Sequence, residues 1–510
     1  MLEVGARPMT GAEYLESLRD GREVYIHGER VQDVTTHPAF RNAARSIARL
    51  YDALHDPAYR DVLTAPDPFG ILTHKFFKPS YSPQELLEAR DAIACWARFT
   101  YGFMGRTPDY KASFMATLGA APEFYEPFTE NAVRWYREYA GRVLFLNHCL
   151  VNPPVDRTKK AHEVEDVFLH VVRETDRGIV VSGAKMLATA SALTHATFVA
   201  QNSASAAMLE KGKAEDYALV FIAPMDTRGQ KLISRSSYEE RADSPFDHPL
   251  SSRFDENDAV LIYDEAFIPW EHVLVYRDVD KAQQFYAASG FLNRYNLQAS
   301  TRLAVKLDFM CGLLAKALAA NGTDAFRGVQ AQLGEVIGWR NLVWAMTSAM
   351  ALDPQPGPGG SVIPRLEYAA TARLFATLAW PRVKETFQLV LGGSPLYTVS
   401  SYRDLLSEEL QPLLERYYRG TGLPAQERIK LFKLVWDAIG TEFAGRHELY
   451  ERNYSGNHEQ MRLDLLTFAG QRGLLDSFLS LVDRCLEDYD LHGWQTDTWV
   501  WEPEPKEGKA

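Results

Sequence analysis

The chain has 510 residues, of which 46% are hydrophobic and 24% are charged, and its formal net charge is −12. A chain of this size buries one large core or divides into two to three domains. Because a nucleic-acid backbone favours a basic protein face, the acidic balance argues against a nucleic-acid partner.

The cysteines are scattered along the chain without any CxxC pair, at Cys95, Cys149, Cys311 and Cys485. This spacing provides neither a disulfide framework nor a zinc site and is typical of a reducing compartment. The first residues lack the basic start and apolar run of a signal peptide, and no uncharged apolar stretch is long enough to cross a bilayer. We therefore predict a soluble cytoplasmic protein with no membrane partner.

The first third of the chain predicts helices. Residues 40–54 and 83–99 are periodic stretches rich in alanine and leucine, and residues 130–143 continue the pattern with large aromatic side chains. From about His148, short β-branched or alternating runs are separated by turn residues, as is typical of antiparallel strands. These runs cover residues 167–172, 179–182, 218–223 and 259–263.

After about residue 290 the helical pattern returns. Within residues 301–320, apolar side chains spaced by three and four residues predict one buried stripe, at Leu303, Leu307, Met310 and Leu314. Further helices are predicted over residues 329–350, 366–388 and 427–452, with a Pro- and Gly-rich loop over 353–364 and a frayed tail over 501–510.

This order of elements predicts an α+β fold that is mostly α. We expect an N-terminal helical domain over residues 1–146 and a middle antiparallel, barrel-like β domain over residues 147–285. A C-terminal helical bundle with a short tail would cover residues 286–510.

Residues 105–110, GRTPDY, are the first candidate for chemistry. Thr107 can cap a helix with its hydroxyl, Pro108 suits the first helical position, and Asp109 complements the positive helix end. Tyr110 would lie in the first turn with Arg106 just outside it. A guanidinium, a phenol and a helix N-terminus facing one spot form a receptor for an oxyanion. The alternative is a capped surface helix preceded by an ordinary arginine.

Common cofactor and metal motifs are missing from the sequence. No G-x-G-x-x-G follows a predicted strand, and no G-x-x-x-x-G-K-S/T is present, so the chain lacks a dinucleotide fingerprint. Histidine–glutamate pairs occur singly, at 162–163, 447–448 and 458–459, without an H-E-x-x-H motif. We predict no metal, with an iron site of two histidines and one carboxylate as a minor alternative.

Long ungapped blocks carry a resemblance to a known family. Besides GRTPDY they are VYIHGERVQDVTTHPAF at 24–40, Asn147-His148 with VNPP at 151–154, SSRFDEND at 251–258, FRGVQAQLGE at 326–335 and WDAIGTEFAGRHELY at 436–450. Together they closely resemble the 4-hydroxyphenylacetate 3-hydroxylase family, the oxygenase component of two-component, reduced-flavin-dependent phenol hydroxylases. The resemblance runs from about Met9 to about Trp494 and implies an acyl-CoA dehydrogenase-like fold.

The resemblance implies an FADH2-dependent monooxygenase that hydroxylates a para-substituted phenol ortho to its hydroxyl and gives a catechol. In the family, FADH2 and O2 form a flavin C4a-hydroperoxide, whose distal oxygen is attacked by the phenolate ring carbon. The phenol would be 4-hydroxyphenylacetate or a tyrosine-like molecule, free or tethered to a carrier protein. Since a dinucleotide fingerprint is missing, we expect a separate flavin reductase to supply FADH2. The family also implies a homotetramer with the flavin between subunits.

By the same resemblance, Arg106, Tyr110 and His148 surround the substrate phenol. An unperturbed phenol has a pKa of about 10, so its ionisation needs a nearby base or cation. His148 would accept the phenolic proton or hold the phenolate, Arg106 would supply the cation, and Tyr110 a hydrogen bond to the same oxygen. A lone histidine on an apolar background is otherwise more often a satisfied core residue.

The resemblance also assigns residues to the flavin. Thr189 is the candidate for a hydroxyl near the flavin ring, with a water-exposed threonine on a strand edge as the alternative. Gly445 lies in a helical pattern, where glycine costs about 1 kcal/mol relative to alanine, so it indicates close approach of the flavin or of another helix. The full set is Pro154, Val155, Asp156, Arg157, Thr189, Phe443, Ala444, Gly445 and Arg446, with Arg327 and Gln330 as weaker candidates across a subunit boundary.

Residues 201–216 are predicted to cover the far end of the substrate. Gln201, Asn202 and Ser203 are the candidate contacts, and the small residues after them predict a roomy, mobile cover. Amide groups suit a polar, uncharged tail, whereas a buried carboxylate would call for an arginine. This loop looks longer than in commoner family members, and residues 237–249 look shorter.

Two other functions stay open at the level of sequence. An acyl-CoA dehydrogenase or dehydratase would keep the fold, although no catalytic carboxylate is evident near the flavin segment. A non-catalytic helical scaffold would bind no flavin.

Overall fold

The structure, a computed structural model, describes residues 7–495 and every side chain among them except those of Ser203 and Tyr286. The chain divides into two compact units, Met1–Ser455 and Gly456–Ala510. Because the predicted boundaries at 146 and 285 fall inside the first unit, the three-domain division stays a prediction.

Helices dominate the beginning of the first unit. Ser82 accepts a hydrogen bond from the Glu85 backbone N–H and Pro83 occupies the first turn, so the longest of these helices begins where the sequence predicts. The helices are α1 (Gly11–Ser17), α2 (Arg41–Ala53), α3 (Arg60–Leu63), α4 (Pro83–Phe99), α5 (Ala112–Ala120) and α6 (Thr129–Arg142). Short strands lie among them: β1 (Glu23–Ile26), β2 (Glu29–Arg30), β3 (Thr64–Pro66) and β4 (Leu72–His74).

The middle of the unit holds two sheets, in the strand orders β2-β1-β10-β11-β7-β6 and β12-β9-β8-β5. Their strands are β5 (Leu146–Cys149), β6 (His170–Thr175), β7 (Gly178–Lys185), β8 (Ala196–Val199), β9 (Leu219–Pro224), β10 (Gln230–Ser234), β11 (Ala259–Pro269) and β12 (Val273–Tyr276), with the short helix α7 (Ser203–Ala206) between β8 and β9.

The predicted antiparallel character needs one correction. The β1–β10 and β5–β8 pairs are parallel, while the other strand pairs of these two sheets are antiparallel. Strand β1 comes from the part that the sequence predicts as helical and joins a sheet through the register Val24↔Leu232. Four residues with alternating burial are too short a run to stand out against the helices around them.

Helices return after β12. They are α8 (Val279–Ala288), α9 (Phe291–Asn321), α10 (Arg327–Leu352), α11 (Leu366–Leu391), α12 (Gln411–Tyr417), α13 (Ala425–Ile439) and α14 (Glu442–Asn453), with strands β13 (Gln355–Pro356) and β14 (Val362–Ile363) between α10 and α11. The four apolar residues of the predicted stripe on α9 are all fully buried. The helical–β–helical order predicted from sequence is therefore confirmed.

The second unit contains α15 (His458–Gln471), α16 (Leu474–Glu487), β15 (Tyr489–Asp490) and β16 (Gly493–Trp494). Large apolar side chains of α16 are exposed, among them Phe478, Leu481 and Val482. The predicted frayed tail over 501–510 lies outside the described residues. Among residues 7–495, no helix combines the length and apolar character that crossing a bilayer requires.

Candidate active site

A small pocket forms where β5 meets the 3₁₀ turn Pro108–Lys111 and the segment that follows β7. It is lined by Arg106, Thr107, Tyr110, Lys111, Leu146, Asn147, His148, Leu187 and Thr189. The structure thus brings together the three residues predicted to surround the phenol and the threonine predicted to face the flavin.

Arg106 is held in place from several sides. Its backbone N–H donates to the carboxylate of Glu256, and its Nη1 donates to the Tyr450 hydroxyl at 2.8 Å. The guanidinium carbon lies 3.9 Å from the centre of the Tyr110 ring, a cation–π contact. A Cβ added at Gly105 would lie 2.2 Å from Tyr450 Oη, so the glycine of GRTPDY is needed to let this hydroxyl approach.

The predicted capping role of Thr107 is wrong. Its hydroxyl donates to Asp109 Oδ1 at 2.5 Å and makes no capping hydrogen bond to the backbone. The reason is that Asp109 is buried and its carboxylate needs donors, which Thr107 and Gln298 supply. Burial raises the pKa of Asp109 to about 6, although both hydrogen bonds oppose the rise. The local structure is one 3₁₀ turn that leads into α5, with Pro108 at its start as predicted.

His148 lies on β5 and meets a residue that the sequence analysis missed. Its Nδ1 shares a hydrogen bond with the amine of Lys111, which is 2% exposed. Burial, together with the charge of Arg106, lowers the pKa of His148 well below its ordinary value. The ring is therefore neutral at neutral pH and can accept a proton. The sequence does contain one signal for Lys111, which is a lysine directly before the apolar helix α5. Lysines are rarely buried without a reason, so a lysine in such a position is a candidate for function.

Thr189 lies at the edge of the pocket on a strained backbone. Its hydroxyl donates to Asp258 Oδ1 at 2.6 Å. Leu187 and Ala190 on either side of it both have a φ of 60°, which side-chain-bearing residues rarely adopt. Such strain is concentrated at functional sites, where the surrounding structure enforces it. Thr189 is partly buried and hydrogen-bonded, so it is not a threonine on an exposed strand edge.

Arg446 joins the pocket to α14 through buried ion pairs. Its Nη2 donates to Asp258 Oδ1 at 2.8 Å, and its Nη1 lies 3.3 Å from Glu256 Oε2. Burial would raise the pKa of Asp258, but the charges of Arg446 and Arg235 overcome it and lower that pKa. The path Thr189–Asp258–Arg446–Glu256–Arg106 therefore connects the predicted flavin segments to the predicted phenol site. Sequence reasoning used SSRFDEND only for resemblance and missed the roles of both carboxylates.

The remaining residues of α14 divide by exposure. Phe443 and Ala444 are buried, and the Phe443 ring stacks on Phe103 with centres 6.0 Å apart, so these two side chains belong to the core. Gly445 is exposed, and an added Cβ would meet nothing within 4 Å. The alternative that Gly445 marks close contact with another helix of this chain is therefore wrong for the described residues.

Several predicted residues do not line the pocket. The Gln201 side chain, 4% exposed, accepts from Lys185 Nζ at 2.9 Å and donates to the Tyr217 carbonyl at 3.0 Å. Both ends of that amide are thus used inside the protein, because the buried Lys185 amine needs several acceptors and donates to Asn152 Oδ1 at 2.7 Å as well as to Gln201. Asn202 Oδ1 accepts from the Ser205 N–H, and the Ser203 side chain lies outside the described part of the chain.

Most of the other residues predicted to contact the flavin are exposed. Pro154, Val155 and Arg157 are exposed and Asp156, partly exposed, accepts from the Thr158 N–H and hydroxyl. Arg327 and Gln330 begin the exposed face of α10. Within residues 7–495, no three His, Cys, Asp or Glu side chains are placed to hold a metal ion together.

The surroundings of Thr189 fit a flavin. The exposed Leu187 side chain offers an apolar contact, and the Thr189 hydroxyl offers a hydrogen bond. A flavin ring is planar and largely apolar with polar atoms along one edge, so it needs this combination of groups.

Comparison with protein families identifies this chain as an oxygenase of the flavin-dependent class. The N-terminal model of 4-hydroxyphenylacetate 3-hydroxylase matches residues 10–275 and the C-terminal model matches residues 282–485. The chain therefore belongs to the 4-hydroxyphenylacetate 3-hydroxylase family, as its sequence blocks predict.

Relatives match over nearly the whole chain. The pyoverdin chromophore biosynthetic protein PvcC of Pseudomonas aeruginosa is 58% identical, over 96% of this chain and 98% of its own. A (3S)-3-amino-3-(3-chloro-4-hydroxyphenyl)propanoyl-[peptidyl-carrier protein SgcC2] monooxygenase of Streptomyces globisporus is 52% identical, over 96% and 93%. The crystal structure of the oxygenase component HpaB of 4-hydroxyphenylacetate 3-monooxygenase, complexed with FAD and 4-hydroxyphenylacetate, is 31% identical, with a TM-score of 0.88 over 94% of this chain and 100% of that one.

Proposed function

We propose that this chain is the oxygenase component of a two-component, FADH2-dependent monooxygenase that hydroxylates a para-substituted phenol ortho to its hydroxyl, giving a catechol. The observation that carries the proposal is the pocket shared by Arg106, Tyr110 and His148 beside Thr189. Family membership and the oxygenase names of the relatives support it. No observation on this chain favours an acyl-CoA dehydrogenase or a non-catalytic scaffold.

The pocket residues position and activate the phenol. A neutral His148 accepts the phenolic proton, and the Arg106 guanidinium, fixed by Tyr450, stabilises the phenolate oxygen. The Tyr110 hydroxyl completes the set as a hydrogen-bond donor. Reduced FAD, when bound, supplies the activated oxygen. The narrow space around the phenol keeps bulk water from the reacting atoms.

The FAD would be held by residues on both sides of the pocket. Thr189 would meet the polar edge of the ring, Gly445 would admit the ring at the surface of α14, and Arg157 would pair with an anionic group of the cofactor. Arg446 would contribute indirectly, by holding Asp258 and Glu256 in place, because its guanidinium is already paired with these two carboxylates. For Phe443 and Ala444 only the backbone would be available.

The electrons should come from another protein. We expect the purified chain with NADH and FAD to give no catechol, because the sequence contains no dinucleotide fingerprint to bind NADH. Adding any flavin reductase should restore product formation. NADH oxidation and catechol formation are both measured, with and without reductase. Reductase-independent NADH oxidation at the rate of hydroxylation would refute the two-component assignment.

The substrate should carry a longer tail than 4-hydroxyphenylacetate. We expect kcat/KM for tyrosine-type amides or carrier thioesters to exceed that for 4-hydroxyphenylacetate by about tenfold or more. Two observations support this expectation. One relative is named for a carrier-tethered phenol, and the sequence of residues 201–216 contains no arginine to bind a carboxylate. Because Gln201 is hydrogen-bonded to Lys185, Asn202 is the remaining candidate for a hydrogen bond to the substrate's tail.

The comparison needs a matched pair of loop variants. Asn202→Ala should reduce the preference for the longer tail, whereas Lys211→Ala should leave it unchanged, because Lys211 pairs with Asp280 at the exposed surface. Steady-state kinetics with both substrate types would measure this. A preference of the parent enzyme for the small free acid would contradict the tail assignment.

Assembly and location complete the proposal. A homotetramer would cover the exposed apolar side chains of α16 and bring a second copy to the open surface at Gly445. In that assembly Arg327 and Gln330 would contact the flavin of a neighbouring copy. We place the enzyme in the cytoplasm, where its scattered cysteines stay reduced and a flavin reductase is present.

A further inference from the structure

Lys111 occupies a position in the pocket for which the proposed function has no role so far. Its amine shares a hydrogen bond with His148 Nδ1 and lies 3.7 Å from the centre of the Tyr110 ring. The residue is 2% exposed and lines the same space as Arg106 and His148. Lys111 is therefore within the group of side chains that a bound phenol would touch.

Within the described part of the chain, no carboxylate lies close enough to neutralise a charge on Lys111. Among residues 7–495, Lys111 takes part in no ion pair, and Asp109 beside it in sequence turns to Thr107 and Gln298. The groups that face the amine are Arg106, His148, the Tyr110 ring and the Cys149 thiol. Burial raises the pKa of Cys149 to about 12, so that thiol is neutral as well.

The surroundings of Lys111 favour the neutral form of its amine. Burial and the charge of Arg106 lower the pKa of Lys111 well below its ordinary value. A buried lysine without a counter-ion is costly as a cation, and the cost falls if an anion comes to lie beside it. A phenolate is such an anion, and it appears only when substrate is bound.

We propose that Lys111 is a further catalytic residue: it takes up the proton of the bound phenol through His148 and stays beside the phenolate as its counter-ion. The inference rests on the proposed function of the pocket. If His148 acted alone, it would keep the phenol's proton and become an imidazolium next to the positive charge of Arg106. In our proposal the proton resides on Lys111 instead.

The proton transfer balances within the pocket. The phenol O–H bond breaks and its proton passes to His148 Nε2, while the proton on Nδ1 passes to the lone pair of the Lys111 amine. His148 thus ends as the other neutral tautomer, the substrate as phenolate and Lys111 as ammonium. No proton is exchanged with solvent, and no oxidant or further reactant is involved. Two neutral groups have become an ion pair in which each charge is compensated.

The pKa of a bound chromophoric phenol tests this directly. We would titrate 4-nitrophenol, whose phenolate absorbs visible light, on the enzyme loaded with reduced FAD under anaerobic conditions, so that no turnover occurs. Lys111→Met should raise the pKa of the bound phenol by about one to three pH units, because a cation within contact distance is lost.

Lys78→Met is the matched control. Lys78 is also a buried lysine, but it pairs with Glu85 at 3.2 Å and does not line the pocket, so its removal should leave the pKa of bound 4-nitrophenol unchanged. Lys111→Gln provides a second variant of similar length, judged by circular dichroism against the parent, should the methionine variant not fold. Unchanged phenol pKa values in a folded Lys111 variant would overturn the proposal.

The same experiment separates two kinds of failure. If the parent enzyme neither binds 4-nitrophenol nor hydroxylates any phenol when FADH2 is supplied, the proposed function itself is wrong. If the parent binds and hydroxylates phenols while the Lys111 variants bind them with the parent's pKa, only the role of Lys111 is wrong.

Discussion

Arg106→Ala and His148→Ala should each lower the rate of phenol hydroxylation by about 10²–10⁴-fold, the usual loss when one positioned acid–base or charge-stabilising group is removed. Both side chains line the pocket beside Lys111 and Tyr110, and Arg106 carries a charge close to where the phenolate oxygen would lie. FADH2 oxidation by O2 should continue in both variants, so hydrogen peroxide should replace catechol as the product. Product and peroxide yields per FADH2 consumed measure the effect.

Two further variants show whether the loss comes from the pocket. Tyr450→Phe removes the hydroxyl that accepts from Arg106 Nη1 at 2.8 Å but keeps the ring. It should therefore lower the rate of phenol hydroxylation about tenfold. Arg45→Ala removes an exposed arginine of α2 and should change nothing. Near-parent hydroxylation by both Arg106→Ala and His148→Ala would show that these residues do not activate the phenol.

Glu451→Gln should cause the largest loss of stability, roughly 3–5 kcal/mol in the free energy of unfolding. Glu451 accepts from Arg302 Nη2 and from Lys306 Nζ, each at 2.9 Å, on the buried side of α14. The three side chains are at most 2% exposed. Without the carboxylate, two buried cations face each other uncompensated. Denaturant unfolding of the variant and the parent, at the same protein concentration, measures the difference.

The same ion pairs predict how stability depends on pH. Burial would raise the pKa of Glu451, but Arg302 and Lys306 overcome it and lower the pKa to about 2. Because the folded value lies below the ordinary value of 4.5, this contribution to stability is complete above pH 4.5 and is lost as the pH falls towards 2. The Glu451→Gln variant should lack this part of the acid dependence.

Glu442→Gln is the control on the same helix. Glu442 pairs with Arg241 at 2.9 Å, but its side chain is 71% exposed, so the pair should contribute little. An equal loss of stability in both variants would show that the buried position of Glu451 is not the cause.

Much of the fold and the centre of the site could be predicted from local sequence. Pro83 and Ser82 mark the start of α4, and the spacing of Leu303 and Leu307 marks the buried face of α9. Both signals act over a few residues, which is the range that propensity and periodicity cover. The proposed phenol site could be predicted because Arg106 and His148 lie in blocks that resemble a family.

The rest depends on contacts between distant parts of the chain. Arg106 is fixed by Tyr450, 344 positions away, and by Glu256, 150 positions away, and no periodicity signals such pairs. The sequence predicts that Gln201 contacts substrate, because its amide suits a polar tail. Lys185 uses that amide instead, since a buried amine must find acceptors.

A single-turnover experiment with oxygen-18 tests the central claim most directly. Chemically reduced FAD, the purified chain and a tyrosine-type phenol are mixed with labelled O2, without reductase or NADH, and the product is examined by mass spectrometry. The proposed function predicts a catechol that carries one labelled oxygen ortho to the original hydroxyl. Oxidation of the FADH2 in the enzyme with no labelled catechol from any para-substituted phenol would contradict it.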